Sequence, residues 1–213
     1  MTESIKKAAM LTMGTVMAIA LACVTAMPGC VSASDDGDDT STATEQTGVS
    51  SEEPDYTEVS DLMGRLVSAV TVEEANAIIG SEGVQRDEPD TSGQSTTYYY
   101  EWALPGGIGI DGTYYDYPEG EGTDSATYSV SYRSGKVKDK ADFSKWDEIK
   151  TALGSKEGLS YDGMVEMLGG VEGLRSKVST RGEVTYDWYD EDGGYLFTMV
   201  DPDGMCGTTS GRF

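Results

Sequence analysis

Residues 71–80 read TVEEANAIIG, and residues 160–169 read SYDGMVEMLG. Each opens on a hydroxyl residue suited to cap a helix, continues with apolar residues at helical spacing and ends on glycine. In the first stretch Thr71 and Glu74 have the spacing of a capping box, and Ala75, Ile78 and Ile79 form the apolar side. Gly80 can close the helix in a left-handed conformation. In the second, Ser160 is the cap, Met164, Val165 and Leu168 the apolar side, and Gly169-Gly170 the close. A recurring helix of this kind makes the rest of the chain worth aligning on it.

Outward from each stretch the same order of parts returns. Before Thr71, Val59, Leu62, Met63, Leu66, Val67 and Val70 recur at helical spacing. Before Ser160, Trp146, Ile149 and Leu153 do the same, with Ser144 as cap and Gly154 as stop. After each helix pair come alternating segments rich in aromatic and β-branched residues. These are Thr97–Trp102 and Ala126–Tyr132 in the first half, Glu183–Trp188 and Tyr195–Val200 in the second. Shorter strands are expected near 84–87 and 174–180. Tyr100 and Trp102 align with Tyr186 and Trp188, Tyr128 and Val130 with Phe197 and Met199, and Gly135 with Gly204. The segment between Trp102 and Ala126 reads as a long glycine-rich loop. The expected fold is α+β, with one unit over 57–142 and another over 143–213. Each unit is a helix-loop-helix on a roughly four-stranded antiparallel sheet.

Residues 1–29 read as an export signal. Lys6 and Lys7 precede the apolar run AAMLTMGTVMAIALA, and the pattern is set aside from the fold. Gly29-Cys30 resembles the processing site of a bacterial lipoprotein, which implies lipidation of Cys30. Cys23, after Leu21-Ala22, is the competing site. From 30 to 56 the chain turns acidic and Ser/Thr-rich, as in SASDDGDDTSTATEQTGVSSEEPD, and reads as a solvated, disordered tether. The implied location is the bacterial cell membrane, with a lipid anchor and the domain outside the cytoplasm.

The 213 residues carry 38 acidic and 15 basic side chains, a formal net charge of -23, with no histidine and three cysteines. Such a charge argues against a nucleic-acid partner. The missing histidine removes the commonest metal ligand and general base. Gly107-Ile-Gly-Ile-Asp-Gly112 has a bare dinucleotide-loop spacing, but no helix pattern follows it and Asp111 would repel a phosphate. Cys206 has no base to activate it. Asp187, Asp190, Glu191 and Asp192 crowd a turn without the spacing of a calcium loop. These readings point to a non-catalytic protein with no cofactor and no metal.

Two stretches carry a family resemblance: TVEEANAIIG followed by Tyr100-Glu-Trp102 and Ala126–Tyr132, and SYDGMVEMLGG followed by Tyr186-Asp-Trp188 and Tyr195–Val200. Together they resemble the BLIP-like (β-lactamase inhibitor protein-like) group. That resemblance implies tandem units whose two sheets form a concave surface that clasps a protein, with a first-domain loop supplying an aspartate and a tyrosine. The candidate contacts are Asp111, Tyr114, Tyr115, Asp116 and Tyr117 in the long loop, with Tyr98, Tyr100, Trp102, Tyr186 and Trp188 on the strands. The expected function is a tethered envelope lipoprotein that binds a protein partner, with an inhibitor-like module as one form of it. The alternative is a carbohydrate-binding or two-carboxylate hydrolytic protein.

Overall fold

The computed structural model describes residues 55–120 and 122–213. The signal, Cys30 and nearly all of the tether lie outside the described residues. Helices α1 (Tyr56–Leu66) and α2 (Val72–Ile79) precede strands β1 (Val84–Gln85), β2 (Thr96–Leu104), β3 (Ile108–Asp116) and β4 (Ser125–Val130). Helices α3 (Trp146–Leu153) and α4 (Tyr161–Met167) precede β5 (Leu174–Ser179), β6 (Val184–Tyr189), β7 (Tyr195–Val200) and β8 (Cys206–Arg212).

The helix boundaries follow from side-chain chemistry. The Thr71 hydroxyl accepts the Glu74 N–H at 3.2 Å, and the Glu74 carboxylate accepts the N–H groups of Thr71 at 3.1 Å and Val70 at 2.9 Å. That satisfies donors the first turn would otherwise leave open. Gly80 ends α2 at φ 84°, where only glycine is unstrained. Ser160 accepts the Gly163 N–H at 3.2 Å and starts α4. Ser144 departs from its expected role. Asp142 accepts the Ser144 N–H at 2.8 Å and opens a 3₁₀ turn, Phe143–Lys145, and α3 begins only at Trp146.

The expected pair of separate four-stranded units is corrected by the strand pairing. All eight strands form one antiparallel sheet in the order β1 to β8, each paired with its chain neighbour. The join is β4 on β5, with Thr127, Tyr128 and Ser129 opposite Ser179, Val178 and Lys177. Thr180 extends it, donating its N–H to the Ala126 carbonyl and accepting the Ala126 N–H on its hydroxyl, both at 2.9 Å. Two separate sheets would expose four edges, and the join removes two of them. The tandem BLIP-like architecture, with two sheets forming a clasp, is therefore not this chain's architecture.

Helix α1 also crosses the expected boundary. It packs on β5, and Ser60 Oγ accepts the Arg175 N–H at 3.0 Å. Its core partners come from both halves: Met63 and Leu66 share a cluster with Trp102, Ile110 and Tyr128, and also with Val178 and Tyr189. A second cluster gathers Ile149, Met164 and Leu168 from α3 and α4 around Trp188 and Leu196.

The long loop expected between Trp102 and Ala126 is corrected as well. Nine of its residues are β3, a strand inside the sheet, paired with β2 from Leu104↔Ile108 to Thr96↔Asp116. Its glycines hid it, because glycine weakens strand propensity. Gly112 has a packing reason: a Cβ there would sit 2.7 Å from the Trp102 ring. With β3 counted, β7 occupies the place of β3, not of β4. Leu196 is opposite Trp188 as Ile110 is opposite Trp102, so Phe197 and Met199 do not match Tyr128 and Val130.

Candidate functional site: the helix-free face of the sheet

Strand register assigns every residue to a face. Trp102 is opposite Ile110, which is opposite Val130; Tyr128 is opposite Val178, and Val178 opposite Val184. Two residues along β6 come Tyr186 and then Trp188, opposite Leu196. These side chains carry both helix-packed clusters, so all four helices lie on one face. The other face holds Tyr99, Glu101, Asp111, Thr113 and Tyr115 in the first half, and Lys177, Thr185, Asp187, Tyr189, Tyr195, Phe197 and Met199 in the second. Among the described residues no helix covers most of it; at the β6 end Tyr189 joins the cluster beneath α1, and Asp187 and Tyr189 also line the cleft beside α1.

The candidate contacts divide between the faces. Trp102 and Trp188 are buried under helices. The Trp102 indole N–H donates to Asn76 Oδ1 at 2.8 Å, and that of Trp188 to the Val171 carbonyl at 2.8 Å. Tyr114 is buried with them: the Tyr128 hydroxyl gives its one proton to the Ala69 carbonyl at 2.6 Å and so accepts from Tyr114 at 3.0 Å, and the rings meet edge to face at 5.8 Å. Burial pushes the Tyr128 phenol up to about 12 and Tyr114 further. Tyr98 and Tyr100 are half-buried on the helix face. Tyr186 stacks on Tyr161 at 4.2 Å and lies under the Arg175 guanidinium. Asp116 is exposed at the end of β3, and Tyr117 just beyond donates its N–H to Asp124 Oδ1 at 3.0 Å. Of the ten candidates, Asp111 and Tyr115 stand on the open face. Asp111 is bound at 2.9 Å by Arg86, whose Nε lies 3.6 Å from Glu101.

The open face has a centre in an acid that the sequence reading put in the strand Glu183–Trp188 and grouped with the acids of the turn that follows. Asp187 is an internal residue of β6 and only 5% exposed. Three hydroxyls converge on its carboxylate: Ser176 Oγ at 2.7 Å, Tyr195 at 3.1 Å and Tyr189 at 3.5 Å. A register shift in β5 between Arg175 and Lys177 leaves Ser176 as the extra residue beside Asp187. Desolvation raises the Asp187 carboxyl to about 6, although all three hydroxyls favour its charged form. Burial and the Asp187 charge hold the phenols of Tyr189 and Tyr195 above their ordinary value, so they remain donors.

Around this carboxylate lies a shallow basin of about 560 Å3, with Ser129, Lys177, Tyr195, Phe197 and Met199 in its lining. A second depression of about 530 Å3 adjoins it across Tyr189, Tyr195 and Phe197 and reaches Arg212. The Tyr195 ring stands 5.3 Å from Tyr189 and 6.0 Å from Phe197. Asp187 is the one carboxylate among the described residues lining either depression, so a two-carboxylate hydrolytic pair is not assembled there. The signal that could have found Asp187 is its place in Tyr186-Asp-Trp188, an acid between two aromatics in an alternating strand, in register with Tyr100-Glu-Trp102.

A further cleft of about 690 Å3 runs between α1 and α4, carries charges of both signs, including Asp61, Glu172 and Arg175, and is also lined by Asp187 and Tyr189. Among the described residues no group of three His, Cys, Asp or Glu side chains could hold a metal ion. Cys206 is half-buried at the start of β8, and burial pushes its thiol up. No helix among the described residues is long and apolar enough to cross a membrane. No protein family, curated protein or solved structure matches this chain.

Proposed function

We propose that this chain is a lipoprotein of a bacterial envelope, anchored at Cys30, whose domain binds a protein partner through the helix-free face of its sheet. The observation that supports the binding role is the composition of that face. Tyr99, Tyr115, Tyr195 and Phe197 are only half-buried there, Met199 is 41% exposed, and serine and threonine stand between them. A solvated antiparallel face needs only polar residues. Aromatic residues and methionine on it are the composition of a contact surface, since they bury large area on docking and keep a polar handle. With a net charge of -23 on the chain, the fitting partner is a protein with a basic surface, drawn in by long-range attraction.

The binding test uses the full chain as bait in solubilised envelope, beside Tyr99→Ser/Tyr115→Ser. Saturable capture of one protein, lost with the double variant and accompanied by hydrogen-exchange protection on the open face, is the expected result. Equal capture by both baits, or protection confined to the helix side, sinks the reading. The anchor is tested by fatty-acid labelling in the native host. Label is expected on the wild type and on Cys23→Ala, and none on Cys30→Ala.

A further inference from the structure

The two halves of the sheet treat equivalent carboxylates differently. Glu101 precedes Trp102 as Asp187 precedes Trp188, and their partners match: Val84 is opposite Glu101 as Leu174 is opposite Asp187, and Gln85 opposite Tyr100 as Arg175 opposite Tyr186. The next residue along each first strand is Arg86 in one half and Ser176 in the other. Arg86 lies 3.6 Å from Glu101 and reaches Asp111 at 2.9 Å, so the first half carries its own guanidinium. The second half has a hydroxyl in that place, and Asp187 makes no ion pair with any described lysine or arginine. Asp111 has an aromatic counterpart, Phe197, because each lies opposite the carboxylate in question.

We infer that the basin around Asp187 is a receptor for one guanidinium group, an arginine side chain of the basic protein partner that docks on this face. The inference rests on the docking role proposed above and names its anchor. A buried carboxylate without a cation is costly, and three hydroxyls offset that cost only in part. An arriving guanidinium completes the pair that Arg86 makes in the first half. Its plane can lie against Tyr189, Tyr195 and Phe197 while its N–H groups reach the carboxylate, a combination that suits arginine better than lysine. Lys177 lines the same basin, but it is exposed and makes no ion pair among the described residues, so the place beside Asp187 is open to a ligand.

The test titrates the full chain at pH 7.5 with N-acetyl-arginine amide and with the uncharged N-acetyl-citrulline amide, following the ring resonances of Tyr189 and Tyr195. The expected result is saturable arginine binding in the millimolar range, at least tenfold tighter than citrulline. Asp187→Asn keeps the shape and an acceptor for Ser176 and Tyr195, replaces the oxygen facing Tyr189 by a donor amide, and should weaken binding at least tenfold. Ser176→Arg rebuilds the first half's own pair and should abolish it, while Lys177→Gln should not weaken it. Equal binding of the two probes, or unchanged arginine affinity in Asp187→Asn, overturns the inference. Partner capture that depends on Tyr99 and Tyr115 but ignores Asp187→Asn overturns it too and leaves the docking face standing. Arginine binding without any captured partner keeps the receptor and removes the protein from the other end.

Discussion

In the first half of the sheet Trp102 lies over Gly83 and gives its indole N–H to a side chain, Asn76; in the second, Trp188 lies over Gly173 and gives its N–H to the backbone carbonyl of Val171. A Cβ would come within 2.5 Å of the first ring at Gly83 and within 2.7 Å of the second at Gly173. Under the helices the halves are thus built alike. On the opposite face they diverge. The first half shows paired, half-exposed charges, Arg86 with Glu101 and Asp111, whereas the second buries one acid among tyrosines. The shared part is the one that packing constrains, where a lost contact costs the whole fold. The divergent part is the one that water would tolerate in many forms, so its departure from the solvated pattern is what the proposed docking role rests on.

The sharpest way to break the likeness is at the tryptophans. Trp102→Ala and Trp188→Ala should each cost about 4 kcal/mol by cavity formation and lost packing, read by denaturant unfolding. Similar losses and one shared transition are expected, because α1 spans the join between the halves. Two separate transitions would break that picture.

The contrast between Asp187 and Glu101 comes next. Asp187 in the folded chain keeps its proton up to about 6, above the ordinary 3.8. Between those values the folded state binds more protons than the unfolded one, so this group's contribution falls as pH rises through the window, by up to about 3 kcal/mol. The groups facing it, Ser176 from β5, Tyr195 from β7 and Tyr189 on its own strand, do not change charge there. Asp187→Asn should therefore gain stability relative to wild type between pH 3.5 and pH 7. A difference that stays flat with pH would show that the carboxyl is not desolvated.

A smaller contrast lies in the caps. Thr71→Ala removes one side of a reciprocal box and should cost about 1–2 kcal/mol, while Ser160→Ala, which loses a single bond, should cost about 1 kcal/mol. The smallest effect is expected at Glu101. Glu101→Gln breaks a half-exposed pair and should change stability by less than about 1 kcal/mol, with the difference fading in high salt. A larger, salt-insensitive loss would mean that this pair is as shielded as Asp187, and the contrast between the halves would fail.

The helices were legible because their signals are local. Thr71, Glu74, Gly80 and Ser160 act on groups within four residues of themselves, and each serves where its spacing indicates. Ser144 misled because a nearby Asp142 competes for the same turn. Strands β2, β4, β6 and β7 declared themselves by aromatic and β-branched alternation. Strand β3 did not, because Gly109 and Gly112 interrupt its pattern, and Gly112 is explained only by the indole that lies over it. Of the candidate site residues, Trp102, Trp188 and Tyr114 read as aromatic in sequence, but the face each occupies is settled by the strand opposite.

What the sequence determined by itself is the set of parts: two helix pairs with the caps of α2 and α4, most of the strands, the acidic composition and the Tyr-acid-Trp motif in each half. These rest on hydrogen bonds and periodicities spanning a few residues. Only the tertiary structure decided that β4 would pair with β5, since Thr127 and Ser179 lie far apart in the chain and the reason for their meeting is an unpaired edge on each side. That single pairing turned two expected sheets into one, drew α1 over β5 and left one long face bare. It also decided the state of Asp187, an ordinary acid in sequence, whose burial and hydroxyl shell arise from residues on β5, β6 and β7 converging across the sheet.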